Sequence, residues 1–223
     1  MVDKEQIRFL YHLQGVRELF DEYADTFDEE LVNGLRYDVP NLTRKQIPDT
    51  LGNTPAHFKR CLDLGCGTGL SGVAFRDCCD YMEGVDISPK MVKKAVALGG
   101  VYNVAKHSDL QGHLRKCSDE SFDLIISCDV LMYVYDLVPL FKQVKRVLSK
   151  GGTFAFSTEA LEEADVNVLE RDSGRYAHSR KHVQNLAEED GFELQSIVNV
   201  LGRMDEGKEI RSDIFVFRWN NFS

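Results

Sequence analysis

The run Leu62-Asp63-Leu64-Gly65-Cys66-Gly67-Thr68-Gly69 constrains this chain more than any other. Apolar residues lead directly into three glycines at alternate positions, and a helix-compatible stretch follows. Glycine reaches φ > 0 without a Cβ clash and lets another group approach the backbone. The helix N-terminus beyond presents free N–H groups and the positive end of a dipole. In open α/β sheets, turns of this kind lie at the C-terminal edge of the strands, where ligands bind.

The rest of the chain agrees with such a sheet. Short apolar runs at 61–64, 81–86, 101–106, 122–128 and 153–157 alternate with helix-compatible stretches at 69–79, 88–98 and 137–149. That order predicts parallel βαβ units. Strands are also expected at 192–200 and 212–219, after a helix at 178–190. Their short polar connection, Gly202–Arg211, suggests an antiparallel closing hairpin. The first 55 residues differ. Leu13, Val16, Phe20, Tyr23, Phe27 and Leu31 recur three or four apart and form one apolar helix stripe. Asn33-Gly34 ends it, Pro40-Asn41-Leu42-Thr43 restarts a helix toward Thr50, and Gly52-Asn53-Thr54-Pro55 reads as a linker. The expected organisation is a helical cap over 1–56 and a core over 57–219, with an insertion at 159–182. A chain of 223 residues suffices for one such domain.

The net charge of −9 disfavours nucleic acid and anionic membranes as partners. No run approaches the roughly 18 apolar residues of a membrane span, and the charged start has no signal core. The six cysteines, Cys61, Cys66, Cys78, Cys79, Cys117 and Cys128, contain no C-x-x-C pair, against a zinc ribbon or thioredoxin-like site. Free thiols in a reduced, cytoplasmic protein are expected.

Three readings compete for the glycine turn: no ligand, a dinucleotide, or S-adenosylmethionine (SAM). A dinucleotide loop wants G-x-G-x-x-G, whereas here the spacing is G-x-G-x-G with the next glycine at Gly72. Asp63 is unhelpful beside a phosphate and useful beside a cation. SAM carries a sulfonium, an amino-acid end and an adenosine. In Gly84-Val85-Asp86-Ile87-Ser88-Pro89, Asp86 can take both ribose hydroxyls and Ile87 can face adenine. Ser88-Pro89 reads as an N-cap followed by Pro at the first helical position. Asp109, in the third turn, is placed to accept from the adenine amine. Each acid alone also fits a plain cap or turn. Three of them at consecutive strand ends favour a ligand.

With these residues the sequence resembles the class I SAM-dependent methyltransferases. LDLGCGTG at 62–69, VDIS at 85–88, SDL at 108–110, FDLIISCDVLMYV at 122–134 and SKGGTFAFST at 149–158 carry the likeness. Residues 18–40 more narrowly resemble small-molecule methyltransferases. That group includes predicted methyltransferases associated with tetratricopeptide repeats and the Williams–Beuren-region methyltransferase. The resemblance implies a Rossmann-like α/β fold with a seven-stranded, mostly parallel sheet. Its last strand is antiparallel, helices cover both faces, and an N-terminal helical lid is added. It also implies that Asp63, Gly65, Cys66, Gly67 and Gly69 surround the amino-acid end of SAM. Asp86 would hold the ribose, Ile87 and Leu110 would flank the adenine, and Asp109 would contact its amine. Cys128 and Asp129 would line the methyl end, with Met91 and Tyr23 also on the cofactor side. Ser149-Lys150-Gly151-Gly152 stands where many members have Lys-Pro-Gly-Gly.

Methyl transfer is an in-line displacement that mainly needs alignment and exclusion of water. A base helps when the acceptor carries a proton. Tyr37, Tyr133 and His178 are the candidate catalytic residues, and S-adenosylhomocysteine is the expected product. The insertion opens with Glu159, Glu162, Glu163 and Asp165. It then turns basic: Arg171, Arg175, Arg180 and Lys181 stand against Asp172 alone in Arg171–His182. This predicts a small, anionic acceptor held by Arg175, Tyr176, Arg180 and Met132, with His178 as base. His178 and His182 are four apart, as in zinc helices, but Ser179 replaces the glutamate and no third ligand is evident, so no metal is expected. The alternatives are a protein methyltransferase and a non-catalytic SAM-binding sensor or partner protein.

Overall fold

The computed structural model describes residues 4–28, 37–47, 50–51, 54–162, 165–205 and 207–220. Leu31, Asn33-Gly34, Gly52-Asn53 and Glu163 lie outside them. Two helices come first, α1 (Lys4–Tyr23) and α2 (Val39–Gln46), then the short strands β1 (Thr50–Leu51) and β2 (Thr54–Pro55). Alternation begins with β3 (Phe58–Leu64), α3 (Leu70–Phe75), β4 (Cys79–Asp86), α4 (Pro89–Ala97), β5 (Val104–His107) and α5 (Leu110–Leu114). It continues with β6 (Phe122–Ser127), α6 (Val138–Val147), β7 (Leu148–Leu161), β8 (Val168–Glu170) and β9 (Tyr176–Ser179). The last elements are α7 (Arg180–Glu189), β10 (Phe192–Asp205) and β11 (Lys208–Trp219).

The main sheet runs β10-β11-β7-β6-β3-β4-β5. Strands β7, β6, β3, β4 and β5 are mutually parallel, and β11 is antiparallel to both neighbours. This is the expected seven-stranded path with its last strand reversed. Its central strands are apolar without alternation because helices cover both faces. Leu124, Ile125 and Ile126 of β6 are fully buried.

The insertion departs from expectation. It adds two strands, so the sheet has nine among the described residues. Strand β7 continues past its pairing with β6, which ends at Ser127↔Phe156. There β9 takes over the vacated edge, pairing in parallel from Glu159↔Ala177 to Leu161↔Ser179, and β8 folds back on β9. An unpaired edge would leave backbone groups unsatisfied. The buried run Tyr176-Ala177-His178-Ser179 satisfies it.

The polar stretch Gly202–Arg211 is also mostly strand, since β10 reaches Asp205 and β11 starts at Lys208. A bulge between Leu201 and Arg203 absorbs Gly202. A Cβ there would stand 2.2 Å from Ser212 Oγ, so only glycine fits without a shift. Helix α2 ends at Gln46, short of Thr50, and packs on the sheet. Val39 is buried with Cys128 and Ile214, and Gln46 Oε1 accepts from Ser196 Oγ at 2.9 Å. No helix among the described residues is long and apolar enough to cross a membrane.

Phe156 is the hub of the core. Its ring stacks on Phe215 at 5.2 Å and on Phe217 at 5.9 Å, and meets Phe141 edge-on at 5.7 Å. Deleting it removes buried area and leaves a cavity. Phe156→Ala is expected to cost about 3–5 kcal/mol in urea unfolding and Phe156→Leu less than half of that.

Candidate functional site

The glycine turn is held in a conformation that only glycine tolerates well. Gly65 and Gly67 have φ of 80° and 51°, in the left-handed region. A Cβ on Gly65 would stand 2.3 Å from a methyl of Val130, whereas the space beside Gly67 is open. The Gly67 N–H donates to Asp86 Oδ2 at 2.9 Å, and the Ser88 N–H donates to Oδ1 at 2.8 Å. The two neighbouring turns are thus tied by one carboxylate. Burial raises the pKa of Asp86, and these two donors pull it back.

Asp63 does not line the cavity beside the turn. It is fully buried behind it. The Tyr102 hydroxyl donates to Asp63 Oδ2 at 2.6 Å and accepts from the Gly72 N–H at 3.0 Å. Asp63 Oδ1 has no hydrogen-bond partner among the described residues. Burial pushes this carboxyl up to about 7, opposed by Tyr102 and reinforced by the charge of Asp86.

A cavity of about 1230 Å³ opens in front of the turn. Its walls include Tyr23, Gly65, Cys66, Gly67, Asp86, Ile87, Asp109, Leu110, Cys128 and Asp129, which sequence assigned to the cofactor. Tyr37, Met132, Tyr133, Arg175 and Tyr176, assigned to catalysis or substrate, line the same cavity. Asp109 is also the N-cap of α5, its Oδ1 accepting from Gly112 N–H at 2.7 Å.

Several expected residues are not brought there. Gly69 caps α3, where a Cβ would meet Leu98 at 2.5 Å, and Met91 is buried in α4. Arg180 points away and forks onto Asp213, with bonds of 2.9 and 2.6 Å. His178 is the clearest correction. It is fully buried on β9, is absent from the cavity wall, and hydrogen-bonds through Nε2 to the Val134 carbonyl at 3.0 Å. Burial pushes its imidazole down to about 4, so its place is structural. Nor does the basic segment act as one patch. Arg171 pairs with Glu159 at 3.2 Å and Arg180 with Asp213, while Arg175 lines the cavity.

Sequence reasoning missed Arg203. It is buried on β10, reaches the cavity, and pairs with Glu159 at 3.2 Å. The signal was the lone Gly202, which marks the bulge that turns Arg203 inward. Arg175 Nε donates to the Tyr133 hydroxyl at 3.3 Å. His12 is a second miss. Its Nε2 bonds the Tyr133 carbonyl at 2.8 Å, so that nitrogen carries the proton.

Helix α1 roofs the cavity with Leu13, Val16, Phe20 and Tyr23, and Phe27 follows in the next turn. Phe20 packs edge-on against Tyr133 at 5.4 Å. Three acids fasten this roof to the core. Asp21 accepts from Ser88 Oγ at 2.6 Å, Asp25 pairs with Lys94 at 3.0 Å, and Asp28 accepts from Thr68 Oγ1 at 2.5 Å.

Residues 62–156 match the family model for a methyltransferase domain. Among curated relatives, a malonyl-[acyl-carrier protein] O-methyltransferase of Halorhodospira halophila is 28% identical over 64% of this chain and 47% of that protein. The chain spans about half the length of the curated relatives it matches. An S-adenosylmethionine-dependent methyltransferase from Mesorhizobium loti superposes with a TM-score of 0.61 at 21% identity, covering 79% of this chain and 95% of that one. The [4+2]-cyclase SpnF superposes with a TM-score of 0.72 at 16% identity, covering 92% and 95%. At such identities the superpositions show the fold alone.

Asp63 generates a prediction. Its folded pKa lies above the unfolded value of about 4, so its contribution favours folding at low pH and is lost as pH rises from about 4 to about 7. The loss is at most about 4 kcal/mol. Asp63→Asn is expected to flatten the dependence of the unfolding midpoint on pH across that window. An unchanged slope would contradict the burial of an ionisable Asp63.

Proposed function

We propose that the chain is a SAM-dependent methyltransferase of class I type, built on the stretch 62–156 that matches a methyltransferase domain, and that it transfers the SAM methyl group to a small acceptor bearing an anionic group. One observation carries this reading. A single roofed cavity joins the glycine turn, Asp86 and Asp109 to a second end formed by Asp129, Tyr133, Arg175 and Arg203. It offers one molecule a cofactor-like cradle and another an end lined by two guanidinium groups.

The residues fit SAM. Each oxygen of Asp86 accepts one backbone N–H and keeps a second lone pair for a ribose hydroxyl. The open space at Gly67 admits a ligand against the backbone. The carboxylates match a cation and would repel a pyrophosphate, against a dinucleotide. Bound SAM supplies a methyl carbon on a sulfonium that an aligned nucleophile displaces.

The chain's own part is to bind, align and dry the site. Asp86 and Asp109 hold the adenosine, Ile87 and Leu110 flank its base, and Cys128 and Asp129 border the methyl end. Phe20, Tyr23 and Phe27 exclude water from above. Arg175 and Arg203 orient the acceptor's anionic group. Tyr37 acts as a hydrogen-bond donor rather than a base. Burial, then the charges of Asp129, Cys128 and Asp63, raise its pKa well above the usual phenol value. The roof favours a small acceptor over a protein, which wants an open groove. The arginine pair beyond the methyl end favours turnover over a SAM sensor. The free thiols fit a reducing cytoplasm.

Asp86→Ala is expected to weaken SAM binding at least tenfold by calorimetry while leaving the unfolding midpoint within a few degrees. Unchanged affinity would remove Asp86 from the cofactor site. Arg203→Met is expected to raise KM for an acidic acceptor more than it lowers kcat. A screen of metabolite acids and amines for release of S-adenosylhomocysteine identifies the acceptor. A screen positive only with amines would sink the anionic assignment.

A further inference from the structure

We propose that Asp129 is the proton acceptor of the reaction, and that the atom methylated is therefore a hydroxyl oxygen of the acceptor and not its carboxylate. The inference rests on the methyltransferase reading and deepens it.

Position comes first. Asp129 follows the end of β6, and the next residue, Val130, packs directly on Gly65. Its carboxylate is thereby set one residue from the glycine turn, on the cavity wall. Second, its backbone is held at φ of 56°, a left-handed conformation costly for a non-glycine residue. Such strain persists only where the surroundings over-determine it. Here Ser157 does so: its Oγ accepts the Asp129 N–H at 2.7 Å and donates to Oδ1 at 2.9 Å. Third, that clamp uses only one carboxylate oxygen. Among the described residues Oδ2 has no hydrogen bond, and the side chain faces the cavity.

The surrounding charges suit a base. Arg203 on β10, Arg175 before β9, Glu159 on β7, and Tyr37 and Cys128 face Asp129 from the elements packed around it. Burial pushes its pKa up to about 6, and Arg203, Ser157 and Arg175 pull against that rise. The group is ionised at neutral pH yet basic enough to keep a proton. Its neighbours are less apt. Burial pushes the Cys128 thiol up to about 12. Glu159 is held by both Arg171 and Arg203. His178 lies outside the cavity.

In the step, the acceptor hydroxyl oxygen forms a bond to the methyl carbon while the carbon–sulfur bond breaks. The bonding pair stays on sulfur, which becomes a neutral thioether. The hydroxyl proton passes to Asp129 Oδ2 and from there to solvent. A carboxylate acceptor would need no such group.

The test uses the full chain. Carboxyl carbon NMR, with the signal assigned by Asp129→Asn, follows Asp129 with S-adenosylhomocysteine bound. A midpoint near 6 is expected, and a carboxylate still ionised at pH 4 overturns the proposal. Asparagine tolerates the left-handed backbone, so Asp129→Asn is expected to fold. With matched probes, 4-hydroxybenzoate against benzoate and malate against succinate, only the hydroxy acids are expected to release S-adenosylhomocysteine. Their turnover should fall about tenfold per pH unit below the midpoint. Asp129→Asn should lower it at least 100-fold and abolish that limb, with SAM and S-adenosylhomocysteine affinities within about threefold of the parent.

Methylation of benzoate or succinate overturns the proposal. So does a variant that loses affinity for SAM but not for S-adenosylhomocysteine, which would mark simple attraction of the cation. A pH limb that survives in Asp129→Asn and vanishes in His12→Asn would move the role to His12. Failure to bind SAM at all would instead sink the methyltransferase reading.

Discussion

The fold gathers the carboxylates of Asp63, Asp86 and Asp129 at one sheet edge, where burial raises the pKa of each. A buried carboxylate costs several kcal/mol unless it is hydrogen-bonded or paired. Asp63 and Asp86 are buried at the ends of β3 and β4, and Asp129 follows β6. Much of the local structure holds these groups. Two backbone N–H groups fix Asp86, the Tyr102 hydroxyl fixes Asp63, and the Ser157 hydroxyl fixes Asp129. All three are pushed toward protonation. A cationic ligand beside them would favour their ionised forms, and its binding would stabilise the fold.

The sheet was legible because its signals are local. Apolar runs, the glycine turn and the Ser88-Pro89 cap each span a few residues. The order of strands follows from the rule that parallel strands need helical crossovers. Asp86 and Asp109 were legible for the same reason, since a strand end is fixed by its own turn. What escaped depends on partners far along the chain. Arg171 and Arg180 read as a free basic patch, yet their acids lie 12 and 33 residues away. His178 read as a base because a four-residue strand does not announce its burial. Arg203 was lost in a polar stretch whose bulge reverses the facing of residues.

The same fold hosts a methyltransferase and a cyclase among its structural neighbours, so the sheet by itself does not choose a chemistry. The choice lies in what stands beyond the glycine turn. Here two arginines line the cavity. Arg175 comes from the turn before β9 and Arg203 from the bulged edge of the closing hairpin. Neither belongs to the parallel half of the sheet. The residues of the glycine turn and the two arginines therefore belong to different parts of the chain, and one set can vary while the other is kept.

The hydroxyl of Ser88 does two things at once. It accepts the Met91 N–H that caps α4, and it donates to Asp21 on the roofing helix. Moving α1 away would leave that donor to water and remove one support of the α4 cap. Opening of α1 and fraying of α4 thus share one free energy. Thermodynamic linkage makes the sharing reciprocal. Free energy that a ligand added to the order of the α4 turn would favour the roofed arrangement as well.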